Sequence, residues 1–186
     1  MLVVVSGSHG SGKSTLISDF ALSHPDWEVL PDPYEFIDLD AGEPSVPLFI
    51  EQLRIAAARM REPSTGHLLA ERGPLDFLAY LHAMETLGRS TLPRELTEWV
   101  YDLTRLVMTT VDLLLLLPLN RVDAISIGDD EDRELRDAMN MSLLELADDR
   151  HLTGCAHVAE IVGDRDQRLA SLRSAIQRLP RESGDQ

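Results

Sequence analysis

The most constraining feature of this chain is its N-terminal stretch. The apolar run Leu2-Val3-Val4-Val5 reads as a short buried strand. Gly7-Ser8-His9-Gly10-Ser11-Gly12-Lys13-Ser14-Thr15 follows and fills the whole pattern G-x-x-x-x-G-K-[ST]. Residues 15–22 then place Leu16, Ile17, Phe20 and Ala21 at helical spacing. The glycine-rich segment therefore turns a strand into a helix. Glycines let the backbone approach a phosphate chain closely and adopt conformations that a β-carbon forbids. Backbone N–H groups of the turn and of the helix start then converge, where the helix dipole favours an anion. Lys13 adds a mobile positive charge, and Ser14 offers a hydroxyl to Mg²⁺. Residues Gly7 through Thr15 are the expected phosphate-binding set.

Composition narrows what the phosphate could belong to. The 186 residues are 44% hydrophobic, which suits one globular domain over residues 1–186. The formal charge of −15 repels phosphate backbones and argues against a long nucleic-acid partner. Cys155 is the only cysteine, so no internal disulfide or thiolate zinc site is available, and the six histidines lack metal-ligand spacing. The longest apolar run, residues 111–119, is too short to cross a membrane. No basic segment precedes the first strand, so a soluble, cytoplasmic protein is the expectation.

Strand and helix signals alternate along the rest of the chain. Residues 27–30 read as a second strand, and Pro31-Asp32-Pro33 as a stop that keeps a helix from starting there. A polar loop over 36–46 leads to a helix over 47–62. Residues 67–72 form a third strand ending in charge, and 75–87 a helix with Phe77, Leu78, Leu81 and Met84 as its stripe. Pro93 starts a helix that runs to residue 108. Asp112 introduces the leucines 113–117 as a central buried strand. An acidic segment over 120–132 leads to a helix over 131–146, then a fifth strand over 156–162. Asp164, with Gln167 three residues on, forms a capping box for a last helix to residue 179. This alternation implies an α/β fold with a parallel sheet covered on both faces.

Ligands in such sheets sit beyond the carboxyl ends of the strands. Four strand ends carry polar chemistry: the glycine-rich turn, Asp32, Glu71-Arg72 and Asn120-Arg121. Asp32 is placed to act as a base toward an acceptor hydroxyl. Its other reading is a cap for the proline turn. Glu71 could hold Mg²⁺ through water alongside Ser14. Arg72 could pair with Glu71 or grip an acceptor near its reacting oxygen. Arg133 and Arg136 lie one helical turn apart and could close onto a transferred phosphoryl group, or form local ion pairs with the surrounding carboxylates. Asp112 precedes its strand and belongs to the opposite edge of the sheet.

Taken together, Gly7 through Thr15, Pro31-Asp32-Pro33, Glu71-Arg72 and Arg133 with Arg136 resemble the deoxynucleoside kinase and nicotinamide-riboside kinase-like branch of the P-loop kinases. The resemblance implies a P-loop NTPase three-layer sandwich, with five parallel strands in the order 2-3-1-4-5 and a lid over about residues 120–140. In that family an acidic residue followed by proline ends the second strand and supplies the general base. Here Asp32 stands where Glu is usual. Glu71-Arg72-Gly73-Pro74 is similar to the acidic-Arg pair at the third strand. Arg121, Arg133 and Arg136 are the candidates for the lid arginines, and Val162-Gly163-Asp164-Arg165 with Arg168 resembles the last strand-to-helix segment.

The implied function is transfer of the γ-phosphoryl of ATP, with Mg²⁺, to a hydroxyl of a small, nucleoside-like molecule. Lys13, Asp32, Arg72, Arg133 and Arg136 are its catalytic candidates. Asp32, Tyr34, Gln52 and Arg72 are its acceptor-side candidates, with Tyr34, Phe36 and Phe49 available to stack on a base. The alternative is a regulatory P-loop ATPase that switches a protein partner. The oligomeric state is left open, a homodimer included.

Overall fold

The computed structural model describes residues 1–37, 43–119 and 132–180. Five parallel strands form one sheet: β1 (Leu2–Ser6), β2 (Trp27–Leu30), β3 (His67–Glu71), β4 (Leu113–Leu116) and β5 (His157–Glu160), in the spatial order β2-β3-β1-β4-β5. The helices are α1 (Lys13–Ser23), α2 (Val46–Met60), α3 (Pro74–Thr86), α4 (Arg94–Met108), α5 (Arg133–Asp148), α6 (Arg150–Thr153) and α7 (Arg165–Arg178). This is the expected α/β P-loop NTPase architecture and strand order.

Side-chain alternation along β1 explains the layers. Val3 and Val5 join Leu16, Ile17 and Phe20 of α1 and Leu172 of α7 in one apolar cluster. Val4 points the other way, into a larger cluster with Leu53 of α2, Leu78 of α3, Val107 of α4 and Met139 of α5. All five residues of β1 are buried, as are Leu113 through Leu116 of β4. A strand covered on both faces needs no polar alternation, which is why these segments read as continuous apolar runs.

Parallel register aligns the strand ends. Val5 stands opposite Glu71, Leu30 opposite Ala70, and Ser6 opposite Leu116. The chain therefore leaves β1, β2 and β3 at one level. At the other end, Asp112 accepts the Leu2 N–H at 2.6 Å. It belongs to the opposite edge of the sheet, as its position ahead of the strand requires.

Two local features depart from the sequence reading. A single 3₁₀ turn, Pro33–Phe36, starts where the prolines were expected to prevent a helix. Pro33 occupies its first position, where a missing N–H costs nothing. The short helix α6 was not foreseen; Asp149 caps it by accepting the His151 N–H at 2.8 Å. The α7 capping box is present, with reciprocal Asp164–Gln167 bonds of 2.9 and 3.0 Å. Among the described residues no helix is long and apolar enough to cross a membrane. Asn120, Arg121 and most of the expected lid lie outside the described residues.

Leu115 is wholly buried between β1 and β5. Leu115→Ala is expected to lower the unfolding free energy by about 3 kcal/mol, the mid-range for a buried leucine truncated to a cavity. Urea denaturation followed by circular dichroism checks this; a loss under about 1 kcal/mol would contradict the packing described.

Candidate active site

A cleft of about 960 Å³ opens at the carboxyl ends of β1, β2 and β3. From the glycine-rich loop it is lined by His9, Gly10, Gly12, Lys13, Ser14 and Thr15. Gly7, Ser8 and Ser11 lie buried behind them. Gly7 is demanded by close approach, because a β-carbon there would sit 2.7 Å from Ser11 Oγ and 2.9 Å from the Leu117 carbonyl oxygen. Gly12 has φ +92°, a left-handed conformation that lets α1 begin directly at Lys13.

Lys13 is buried beneath the loop, its ammonium donating to the Ser8 carbonyl at 2.9 Å. Burial, reinforced by the nearby Arg72 charge, lowers its pKa to about 7 against the pull of Asp76, Glu71 and Asp32. Ser14 Oγ donates to Glu71 Oε1 at 2.7 Å, so the hydroxyl and carboxylate expected to share a cation are in contact at the cleft wall. Two hard oxygens side by side are the donor chemistry that Mg²⁺ takes.

Across the cleft, the sequence left two partners open for Arg72 and two roles for Asp32. Arg72 pairs with Asp32, not with Glu71: Nε to Oδ2 is 2.7 Å, with Arg72 buried and Asp32 about one-fifth exposed. The other oxygen, Asp32 Oδ1, accepts the Tyr34 N–H at 3.0 Å and caps the 3₁₀ turn. A carboxylate has about four acceptor directions, so room remains for a hydroxyl at either oxygen.

Arg72 also carries φ +63°, the only left-handed non-glycine among the described residues. Such a conformation costs about 1–3 kcal/mol and persists only where its surroundings impose it. Here the Arg72 N–H extends the sheet to the Val5 carbonyl at 3.0 Å, and the next N–H, of Gly73, bonds Asp76 Oδ2 at 2.9 Å. Burial works against the Arg72 charge, but Tyr80, Asp32 and Asp76 more than offset this and hold its pKa above the ordinary value.

Asp76 was missed by the sequence reading. It is wholly buried and accepts three hydrogen bonds, from Ser6 Oγ at 2.5 Å, Gly7 N at 3.0 Å and Gly73 N at 2.9 Å. Burial pushes its carboxyl pKa up, opposed by Arg72 and those bonds. Its position three residues after Gly73, at the start of α3, is a capping signal that could have been read. Tyr80, one turn further on, was also missed. Its ring lies 5.3 Å from the Arg72 guanidinium and stacks on Phe49 at 4.5 Å and 8°.

The remaining candidates divide. Tyr34, Phe49 and Gln52 line the cleft, Gln52 as a buried side chain. Phe36 does not line it; Arg59 covers its ring at 4.4 Å. Arg136 lines the cleft and donates from Nε to the His9 carbonyl at 2.8 Å. Arg133 is exposed and outside the cleft lining. Three positions on a helix leave side chains about 60° apart, enough to separate two arginines at a helix start. Asp132, which caps α5 through the Leu135 N–H at 3.0 Å, lines the cleft and is held by Arg89.

No protein-family model matches the chain, and no curated protein matches it by sequence. Solved structures do match. Thymidylate kinase from Candida albicans superposes at a TM-score of 0.67 and 17% identity, over 95% of this chain and 90% of that one. Deoxyadenosine kinase from M. mycoides with bound dATP gives a TM-score of 0.71 at 14% identity, over 95% and 100%. The same enzyme with bound dCTP gives 0.70 at 14%, over 95% and 99%.

The Lys13 shift carries a pH signature. A lysine whose folded pKa is lowered penalises folding below about pH 7, and that penalty is relieved as the pH rises toward the unfolded value. Wild-type protein without nucleotide should therefore gain stability relative to Lys13→Met between pH 7 and pH 10. Parallel stability profiles for the two proteins in denaturant titrations would contradict this. The fold of this chain is that of the P-loop nucleoside and nucleotide kinases, and its cleft sits where the glycine-rich loop, Asp32 and Glu71-Arg72 meet.

Proposed function

We propose that this protein is a kinase that moves the γ-phosphoryl of ATP to a hydroxyl of a small, nucleoside-like acceptor. The observation that carries the reading is the placement of Asp32. It faces the same cleft as Lys13 and the glycine-rich loop, and it is oriented by a buried arginine. A hydrolase or switch needs the loop; a carboxylate oriented on the far side suits an acceptor hydroxyl.

In this reading Lys13 and the loop amides hold the phosphate chain. Asp32 takes the proton from the acceptor hydroxyl as its oxygen bonds to the γ-phosphorus, and the bond to the ADP oxygen breaks. Arg72 and Arg136 offset the negative charge that spreads over the transferred group. Arg133 would join them only after moving into the cleft. Ser14 and Glu71 would hold Mg²⁺, which when bound neutralises charge on the β- and γ-phosphates. Phe49 and Tyr80 offer a flat apolar wall and Gln52 a buried amide, which suits a planar heterocycle. The fold shared with a thymidylate kinase and a deoxyadenosine kinase supports an acceptor that carries a nucleoside, and the second of the two names matches a hydroxyl acceptor.

Asp32→Asn keeps the size and the turn cap but removes the base. It should lower kcat at least about 100-fold, within the usual range for a general base, while the Kd for ATP stays within about threefold of wild type. Coupled-assay kinetics and calorimetry read the two numbers. A kcat within a few-fold of wild type would remove Asp32 from the chemistry.

A further inference from the structure

Among the described residues Arg168 is one of few buried charges, and it lies outside the cleft lining. Its guanidinium bridges two backbone segments. Nη1 donates to the Ser11 carbonyl at 2.7 Å, and Nε to the Gly163 carbonyl at 2.7 Å. The side chain is delivered by a stiff support. The α7 capping box fixes the helix start, and Gly163 is left-handed at φ +108°, in a spot where a β-carbon would collide with Gln167. Arg165, on the same turn, is tied to Asp19 of α1 at 2.5 Å. Beyond Arg168, Arg173 donates to Ser23 Oγ of α1 at 2.7 Å, so helix α7 is pinned against α1 on both sides of Arg168.

The consequence follows from peptide geometry. In a trans peptide, the carbonyl of one residue and the N–H of the next point in opposite directions. Holding the Ser11 carbonyl toward α7 turns the Gly12 N–H away from α7, on the side where Gly12 lines the cleft. Among the described residues no protein acceptor takes that N–H. The Ser11–Gly12 peptide has a glycine on one side, and Gly12 has no β-carbon to resist rotation about its φ. Something must choose the orientation, and a charged donor to a carbonyl is a strong way to do so.

We propose that Arg168 is a positioning residue for the phosphate loop: by gripping the Ser11 carbonyl from behind, it presets the Gly12 N–H to meet the phosphate chain of the nucleotide. This rests on the nucleotide-binding reading above, but not on any acceptor. Arg168 acts through the loop and touches no substrate. Arg136 holds the His9 carbonyl at 2.8 Å and turns the Gly10 peptide in the same manner, from the opposite helix layer.

The test measures the Kd of ATP·Mg²⁺ and of inorganic tripolyphosphate, without acceptor, for wild type, Arg168→Met and Arg168→Lys, with apo thermal melts alongside. Losing a hydrogen bond from a charged donor should raise both Kd values of the methionine variant by about tenfold or more. The lysine variant should fall between, since one ammonium keeps the charge but not the two-carbonyl bridge. Equal fold losses for ATP and tripolyphosphate place the effect at the phosphates. Kd values within twofold of wild type in both variants would overturn the proposal. So would a loss for ATP alone, which would mark a looser fold away from the loop. If Arg168→Met does not fold, Arg168→Lys decides by the same outcomes. A wild-type protein that binds neither probe overturns the nucleotide reading, and this proposal with it.

Discussion

Parallel register is the constraint on which the rest of the structure depends. Because β1 is bonded to β3 on one side and β4 on the other, residues near the end of each strand are locked at one level. The turn after Ser6, the turn after Leu30 and the Glu71-Arg72 pair then have only one place to go. A one-residue slip would exchange the faces of β1 and bring Val4 into the layer of α1. The apolar burial on both faces forbids that, so the same packing that stabilises the sheet also assembles the cleft.

The cleft is built from charges that would each be costly alone. Lys13 and Arg72 are buried cations, and Asp76 is a wholly buried carboxylate. Their arrangement is mutual. Asp76 ties the start of the glycine-rich loop, through Ser6 and Gly7, to the backbone that follows Arg72. Arg72 in turn orients Asp32. A displacement of the loop would therefore reach the proposed base through only two side chains. The depressed Lys13 pKa is the residue of an imperfect balance, and a bound phosphate chain would restore the charge that burial opposes.

Much of this was legible in the sequence, for identifiable reasons. The glycine-rich motif has a fixed spacing because backbone amides must surround an anion, and its flanks carried the right periodicities. The central strands β1 and β4 were readable because parallel strands buried on both faces are short apolar runs. The edge strands β2 and β5 are only partly buried and were readable from the alternation of elements. Asp32 and Glu71 were readable because each stands at the carboxyl end of a strand. The pairing of Arg72 was not, since a residue at a strand end can turn toward either neighbour, and a left-handed backbone at arginine has no sequence signature. Asp76 offered only a capping signal at the start of α3, because its tie to the glycine-rich loop comes from a strand 70 residues away. Gln52 gave no sign of burial, because one polar residue on an amphipathic helix can face either way. Arg168 is a surface-type residue whose buried partner is a carbonyl 157 positions earlier.

The central claim is that the phosphate loop and Asp32 serve one transfer to an acceptor hydroxyl. It is tested most directly by incubating the protein with Mg²⁺ and ATP labelled with ¹⁸O on its γ-phosphoryl, with and without a panel of nucleosides, nucleotides and sugars, and reading products by mass spectrometry. The account predicts ADP formation that depends on an acceptor, with the labelled phosphoryl recovered on that acceptor. Label recovered only in inorganic phosphate, at a rate indifferent to every compound, would contradict it and favour the ATPase switch.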